Sequence, residues 1–227
     1  MSNTLTITDA ARSRMSCRAF LDTPVPEDTV RAILDAARWA PSGGNLQPWH
    51  VHVVTGDALE DLHGRITPRF DTLPLAEGAE YQVYPVPLSP PYTGRRFKCG
   101  ADLYASLDIP REDRPARYRQ YARNFVLFGA PVGIFVSIDR QMGPPQWADV
   151  GMFCQTVMLL AREHGLHTCA QEAWTFWHKT MTDFLELPEN MMLFCGIALG
   201  HADMDHPVNN WRTERAEVDD FAVFRGF

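Results

Sequence analysis

Arginine and small polar side chains are grouped at two places in the sequence where they could bind an anion. The stretch SRMSCRAF places Arg14, Ser16 and Arg18 at alternating positions, so an extended backbone would direct all three side chains to one side. Near the C-terminus, Arg212 and Arg215 are three residues apart, and a helical turn would put them on one face. Guanidinium groups bind phosphates and carboxylates through forked, charge-assisted hydrogen bonds. Taken alone, the first group is more typical of solvated surface arginines. The second could belong to a solvated charged tail, but the tail also contains Trp211, Phe221, Phe224 and Phe227, which indicate that it is buried against something.

The stretch APSGGNLQPWHVHVV, residues 40–54, begins with a loop that could approach a ligand. Small and polar residues fill most of seven positions: Pro41, Ser42, Gly43, Gly44, Asn45 and Gln47. Glycine permits positive φ and lets a ligand come close to the backbone. A plain turn between a helix and a strand has the same composition, so both interpretations stay open on this stretch alone.

Hydrophobic periodicity predicts the elements that would position these segments. A short first helix is expected at 8–15, with Thr8 as a plausible N-cap. Val30, Ile33, Leu34 and Ala37 follow the helical i, i+3, i+4, i+7 spacing, and this helix ends before the loop. Strands are expected at 51–54, 131–138 and 191–199, and further helices at 59–70, 99–107, 115–128, 147–164 and 174–185. The helix at 147–164 is apolar nearly all round, which is typical of burial in a core or an oligomer interface.

Residues 72–98 form a stretch rich in proline and tyrosine, including Tyr81, Tyr84 and Tyr92. Proline disfavours regular structure, and tyrosine combines an apolar body with a polar tip. Long irregular segments in compact domains are often lids or binding loops. We therefore expect a lid here rather than a loop that is merely packed on the surface, and Arg95 and Arg96 could meet an anionic substrate.

The composition of the 227 residues restricts the class of protein. A net charge of −7 argues against nucleic acid or an anionic membrane as the main partner, and no apolar run is long enough to span a membrane. The first twenty residues lack the apolar core of a secretion signal. Five cysteines without a CxxC spacing argue against disulfides and structural zinc, which predicts a cytoplasmic location. His50 and His52 have no evident third ligand, so no metal site is predicted.

Four stretches occur in a characteristic order: SRMSCRAF, APSGGNLQPW, GLHTCAQEAW and NNWRTERAEVDDFAVFRGF. This ordered set resembles the nitroreductase-like family of FMN-dependent oxidoreductases, and is most similar to the bacterial aromatic nitroreductases that include nitrobenzoate reductases. The resemblance extends over nearly the whole chain and implies a single domain, residues 1–227, with the lid as an insertion. It implies an α+β sandwich with a mixed, mainly antiparallel sheet flanked by helices. It also implies an intertwined homodimer in which the tail, at about 201–227, embraces the partner.

The resemblance further implies two FMN molecules in the dimer interface, each contacted by both chains. It places Arg14 with Arg212 and Arg215 at the flavin phosphate, and Arg18 near the pyrimidine edge of the ring. The loop at 41–45 would reach the flavin of the partner subunit, and residues 171–173 would line the ring. The cofactor-binding residues implied in this way are Arg14, Ser16, Arg18, Pro41, Ser42, Asn45, Gln171, Glu172, Ala173, Arg212 and Arg215.

The family's activity implies an NAD(P)H-dependent FMN nitroreductase that reduces nitroaromatic compounds by ping-pong, two-electron hydride transfer. NADH or NADPH would be the transient reductant, and the flavin rather than a side chain would carry the chemistry. The residues expected to contact the small aromatic substrate are Tyr81, Tyr84, Tyr92 and Phe125. A quinone, activated-alkene or dehalogenating reductase of the same fold stays open as an alternative, as does a flavin-binding protein without turnover.

Overall fold

The computed structural model describes residues 5–227. Within that range it contains seven α-helices and four β-strands. The helices are α1 (Ile7–Ser13), α2 (Glu27–Ala37), α3 (Gly56–Ile66), α4 (Tyr92–Ala105), α5 (Arg114–Ala122), α6 (Pro144–Glu163) and α7 (His178–Phe184). The strands are β1 (His50–Thr55), β2 (Val132–Asp139), β3 (His167–Gln171) and β4 (Met191–Gly200). Short 3₁₀ segments join several of these elements.

The four strands form one sheet in the order β1-β2-β4-β3, and all three pairings are antiparallel. A parallel contribution comes from an isolated bridge between Ser16 and Thr168, beyond the outer edge of β3. Hydrophobic side chains cover both faces of the two central strands. Phe135 of β2 points into one core cluster, and its neighbours Ile134 and Val136 point into the other. The sheet therefore lies between two cores, which agrees with the expected α+β sandwich.

Several predicted helices have different boundaries in the structure. The cap of α1 is Thr6 rather than Thr8, because the Thr6 side chain accepts a hydrogen bond from the Asp9 amide. The helix predicted at 115–128 ends at Ala122 and continues as a 3₁₀ segment, in which Leu127 and Phe128 have φ of 49° and 56°. These left-handed backbone angles cannot continue an α-helix.

The predicted lid is less irregular than its composition suggests. Helix α4 begins at Tyr92, directly after Pro91, so only the stretch at 73–91 lacks a longer regular element. The expected start of that helix, at residue 99, is therefore too late by seven positions. Proline disfavours helix only at its own position and at adjacent residues. Residues 92–105 contain no proline, so a helix can form there directly after Pro91.

Two largely buried carboxylates fasten the beginning of the stretch at 73–91, one to α7 and the other to Arg140, which follows β2. Glu77 accepts hydrogen bonds from the amides of Lys179 and Thr180, at 2.9 and 3.1 Å, and from the Thr180 hydroxyl at 2.6 Å. Arg69 completes its surroundings with an ion pair of 3.0 Å. Glu80 pairs with Arg140 at 2.5 Å. Residues 77–80 are thus held in place by charge-assisted bonds.

The Glu77 contacts predict a pH-dependent contribution to stability. Burial raises the pKa of Glu77, but the hydrogen bonds from Thr180, Arg69 and Lys179 outweigh it, so the net pKa lies below the usual 4.5. The carboxylate therefore stabilises the fold above about pH 4.5, and this contribution is lost as pH falls through the lowered pKa. We expect Glu77→Gln to lower the free energy of unfolding at pH 7 by about 1.5–3 kcal/mol.

Urea denaturation of wild type and Glu77→Gln at several pH values measures this contribution. The difference between the two proteins should shrink as the pH falls below about 4, where the wild-type carboxyl also becomes protonated. Glu60→Gln is the matched control, because Glu60 is exposed on α3, and its effect should stay within about 0.5 kcal/mol. A difference that is constant from pH 7 to pH 3 would contradict the role assigned to the Glu77 charge.

Candidate functional site

A cleft of about 420 Å³ lies where the end of α1 meets the C-terminal tail. Five arginines line it: Arg12, Arg14, Arg18, Arg212 and Arg215. We call this feature the arginine cleft. Ser16 and Trp211 also contribute to its wall. Segments from the two ends of the chain therefore form one strongly basic surface.

The N-terminal wall of the cleft is an extended segment, as its alternation predicts. Met15, Cys17 and Ala19 are buried, whereas Arg14 and Arg18 are partly exposed. The segment runs beside β3, where the Cys17 amide donates a hydrogen bond of 2.9 Å to the Thr168 carbonyl. The two-residue period thus buries one set of side chains and turns the basic set outward.

The C-terminal wall is held against this segment by Asn209, which is 2% exposed. Its side chain accepts from the Arg18 amide at 2.9 Å and donates to the carbonyls of Ala19 and Asp203, each at 2.8 Å. Arg212 then reaches back to the Met15 sulfur at 2.8 Å. The stretch that contains Arg212 and Arg215 lies outside any helix, so the expected helical turn is not what brings these two arginines together.

The charges in the cleft are not balanced by the protein. Within residues 5–227, none of its five arginines forms an ion pair with a carboxylate. Burial lowers the pKa of Arg14, and the charges of Arg215 and Arg212 lower it further. A site with mutually repelling guanidinium groups and no internal counter-charge is suited to a bound anion of high charge, such as a phosphate.

A second basic layer lies next to the cleft. Arg162 donates to the Leu166 carbonyl at 2.7 Å and to the Ser13 hydroxyl at 3.3 Å, and its guanidinium lies 3.2 Å from the His167 Nδ1 atom. Burial, followed by the charges of Arg162 and Arg212, lowers the pKa of His167 to about 4. His167 is therefore neutral at pH 7 and accepts a hydrogen bond from Arg162.

The end of β3 continues the surface that begins at the cleft. Cys169 is close enough to Arg14, Arg18 and Glu172 for their charges to influence its pKa, which burial raises. Gln171 is buried, and its side-chain amide donates to the Asn124 carbonyl at 2.7 Å. The Trp174 indole N–H donates to the Gln171 side-chain oxygen at 3.4 Å. These bonds occupy the Gln171 side chain, so any ligand here would meet the backbone of the segment and the exposed Glu172.

Comparison with known proteins identifies the family to which the chain belongs. A model of the nitroreductase family matches residues 11–201. The chain belongs to the nitroreductase family. It is 37% identical to the nitrobenzene nitroreductase of Ectopseudomonas oleovorans over 96% of each chain. It is 38% identical to the 4-nitrobenzoate reductase of Pseudomonas putida over 95% of this chain and 93% of the relative.

Solved nitroreductase structures have the same fold. The FMN and NADPH-dependent nitroreductase NfnB of Sphigopyxis sp. strain HMH superposes with a TM-score of 0.95 at 43% identity, covering 98% of this chain and all of the other. The FMN-dependent nitroreductase NfnB of Mycobacterium smegmatis, solved in complex with NADPH, superposes with a TM-score of 0.90 at 29% identity. It covers 97% of this chain and all of the other.

The loop at 41–45, which the nitroreductase resemblance assigns to the flavin of a partner, lies apart from the arginine cleft. Pro41 and Asn45 are exposed and Ser42 is partly exposed, and none of the three lines the cleft. The loop is held to α6, because the Gly43 amide donates to the Asp149 carboxylate at 3.1 Å. Asn45 has a φ of 57°. Within one chain, these residues and Arg14 therefore do not form a common site.

The four aromatic residues expected at the substrate have different surroundings. Phe125 is fully buried between Trp174 and Trp177, so in this conformation it presents no surface to a substrate, and the expected contact stays a prediction. The Tyr81 hydroxyl donates to the Phe194 carbonyl, and its ring packs against Trp147. Tyr81 is thus mainly a packing residue. Tyr84 and Tyr92 are exposed and stay available to a ligand.

Sequence reasoning missed three residues that shape the cleft: Arg12, Arg162 and Asn209. Arg12 is two positions before Arg14 and lies in the last turn of α1, so the same basic pattern could have included it. Arg162 and Asn209 have no local signal for the cleft, because the bonds that tie them to its N-terminal wall, to Ser13 and to Arg18, span 149 and 191 positions.

Two other features, a metal site and a membrane-spanning helix, are absent from the described part of the chain. Between residues 5 and 227, no group of three or more His, Cys, Asp or Glu side chains is placed to hold a metal ion. No helix in that range is both long enough and apolar enough to cross a membrane.

Proposed function

We propose that this protein is an NAD(P)H-dependent FMN nitroreductase that reduces nitroaromatic compounds. The observation that carries the proposal is the arginine cleft, whose five guanidinium groups have no carboxylate partner within residues 5–227. Family membership and the FMN and NADPH dependence of its structural relatives support the same conclusion.

The residues of the cleft fit the phosphate end of FMN. The phosphate carries nearly two negative charges at pH 7 and takes forked guanidinium donors well. Arg14, Arg212 and Arg215 would hold it, and Ser16 supplies a hydroxyl on the same side. Binding a dianion here would relieve the repulsion that lowers the pKa of Arg14. Arg18 is the next residue in the alternating set after Ser16, and we expect it to lie on the side of the flavin ring.

The ring would lie along the end of β3, at Gln171, Glu172 and Ala173. When bound, FMN would supply the redox chemistry by accepting hydride from NADH or NADPH and passing electron pairs to the nitro group. The protein would hold the surface of residues 171–173 in a defined position. Gln171 does so through its bonds to Asn124 and Trp174, and Trp174 is fully buried. Because its supports are buried, the segment is preorganised rather than shaped by the ligand.

We also propose that the active form is a homodimer in which the partner's Pro41–Asn45 loop completes each site. Three exposed apolar side chains, two in the tail and one on α6, support this. Phe221 and Phe224 in the tail are 72% and 63% exposed, and Met152 on the outer side of α6 is 40% exposed. Exposed apolar surfaces of this kind mark protein–protein contacts. The substrate would enter beside Tyr84 and Tyr92, under the stretch at 73–91.

The test is to mix purified protein with NADH or NADPH in a stopped-flow spectrometer without oxygen. We expect a yellow protein whose flavin absorbance bleaches with at least one nucleotide and returns when a nitrobenzoate is added. A colourless protein that FMN does not reconstitute would contradict the cofactor assignment. Bound flavin that stays oxidised with both nucleotides would contradict the enzymatic activity and favour a flavin-binding protein without turnover.

A further inference from the structure

A second cavity, of about 870 Å³, lies between α4 and the turn that leads into α5. We call it the helix-turn cavity. Phe97 and Tyr104 of α4 and Ile109 of the turn supply aromatic and aliphatic walls. It has no lining residue in common with the arginine cleft. Its volume is in the range of sites that bind small organic molecules.

Three arginines line this cavity, and aromatic rings rather than carboxylates hold them. The Arg117 guanidinium carbon lies 3.7 Å from the centre of the Tyr104 ring, and that of Arg111 lies 5.5 Å from Phe97. Arg96 lies 4.1 Å from the ring of Tyr84. Within residues 5–227, none of the three arginines forms an ion pair. Asp108 is the sole carboxylate on the lining.

Stacking on a ring uses the face of a guanidinium and leaves its N–H edge available. The cavity therefore offers unpaired donors at the rim of an aromatic wall. A planar ligand with one carboxylate matches this combination, since its ring can pack against Phe97 and Tyr104 while its charge meets Arg111 and Arg117. A neutral aromatic compound would use the walls alone, and a small inorganic anion would use the arginines alone.

The walls of the helix-turn cavity are fixed in advance of any ligand. The turn is closed by the Asp108 amide on the Ala105 carbonyl, at 3.1 Å, and by the Ile109 amide on the Tyr104 carbonyl, at 3.0 Å. Asp113 caps α5 by accepting from the Ala116 amide at 2.9 Å. On the helix side, the lining residues Ala101 and Ala105 have short side chains, which leave the cavity open.

We propose that the helix-turn cavity is a second ligand site, separate from the flavin site, for a planar aromatic carboxylate. Carboxylates bind guanidinium groups in charge-assisted, often bidentate fashion, and an aromatic ring adds offset or edge-to-face packing. Because the site has no residue of the arginine cleft, binding here does not depend on the function proposed above.

The experiment is isothermal titration of the flavin-loaded protein with naphthalene-2-carboxylate and with the neutral naphthalene-2-methanol. We expect the carboxylate to bind at least ten-fold more tightly than the alcohol. Arg117→Gln should weaken carboxylate binding at least five-fold. Ala101→Leu, which fills the cavity from an exposed helix position, should do the same without removing a charge. Arg95→Gln is the control, because Arg95 is on α4 but outside this cavity, and its affinity should match wild type.

Three results would overturn the proposal. Wild-type protein that takes up no carboxylate would show that the cavity is closed in solution, for instance by a second copy of the chain. Equal affinity for the carboxylate and the alcohol would show that the arginines do not contribute to binding. Unchanged affinity in both Arg117→Gln and Ala101→Leu would place the bound probe elsewhere, including at the flavin. The readout is heat of binding, so a protein without reductase activity would still be informative.

Discussion

Arg14→Ala is expected to weaken FMN binding by about 10- to 100-fold, which corresponds to the loss of one hydrogen bond between charged groups, about 1.5–3 kcal/mol. Arg14 is the member of the arginine cleft whose pKa is lowered by burial and by Arg215 and Arg212. We therefore expect a bound anion to stabilise the charge of Arg14 more than that of the other arginines in the cleft. Equilibrium dialysis or fluorescence titration of the flavin-free protein with FMN measures the effect.

The same substitution should not weaken the flavin-free protein. A lowered pKa in the folded state means that folding disfavours the charged form of Arg14. Removing the charge therefore relieves repulsion, and the melting temperature of flavin-free Arg14→Ala should equal or exceed that of wild type. A purely structural arginine would show the opposite pattern, a lower melting temperature with little change in FMN affinity.

Arg95→Ala is the matched control for Arg14→Ala. Arg95 is an exposed arginine of α4 and lines the neighbouring cavity between α4 and the tail, not the arginine cleft. Its removal changes the net charge by the same amount, so general electrostatic attraction of FMN is reduced equally. Equal loss of FMN affinity in the two variants would contradict the assignment of the phosphate to Arg14.

Gly196→Ala is expected to destabilise the protein strongly. A Cβ at Gly196 would lie 2.5 Å from Trp174 Cδ1 and 3.2 Å from Phe135 Cε1. Trp174 cannot give way easily, because it is fully buried and packs edge-to-face against Phe125 and Phe135. Overpacking of this kind costs about 1–3 kcal/mol or more. Urea denaturation at one fixed protein concentration measures the loss.

The strain at Gly196 should also reach the flavin surface. Gly196 is opposite Gln171 in the sheet, and the Trp174 indole N–H is bonded to the Gln171 side chain. Displacing Trp174 therefore disturbs the support of the segment at 171–173, and we expect weaker FMN retention in Gly196→Ala even where the protein is folded.

Gly64→Ala is the control for Gly196→Ala. Gly64 is exposed on α3 and a Cβ there would meet no atom within 4 Å. Alanine in a helix interior should raise the stability by up to about 1 kcal/mol. A Gly196→Ala protein with the urea midpoint of wild type would show that the packing around Trp174 is looser than the structure indicates.

Local patterns predicted those parts of the fold that depend on neighbouring residues. The spacing of Val30, Ile33 and Ala37 predicted α2, and all three residues are buried. The apolar runs at 131–138 and 191–199 predicted β2 and β4 within one residue at each end. Periodicity is a property of a single element, so it needs no knowledge of the partner that covers it.

Side-chain environments were less predictable. Phe125 and Tyr84 are both aromatic residues near the predicted lid, yet one is in the core and the other is exposed. The sequence placed Tyr84 in the proline-rich stretch and Phe125 in a predicted helix, but it did not show which of the two rings would be covered. Phe125 is covered by Trp174 and Trp177, which are about 50 positions away in the sequence, so its burial depends on a tertiary contact.

The sequence by itself determined the family, through four motifs in order, and the outward direction of Arg14, Ser16 and Arg18, through their alternation. The resemblance implied that Arg14 lies with Arg212 and Arg215, and the three do line one cleft. Only the tertiary structure decided that no carboxylate within residues 5–227 forms an ion pair with them. The reason is physical. Alternation and helical spacing are local, whereas the cleft requires Asn209 to bond with Arg18 and Ala19 across about 190 positions. Whether a charge is balanced depends on the distances between charged side chains in the folded protein, and these cannot be read from the order of residues.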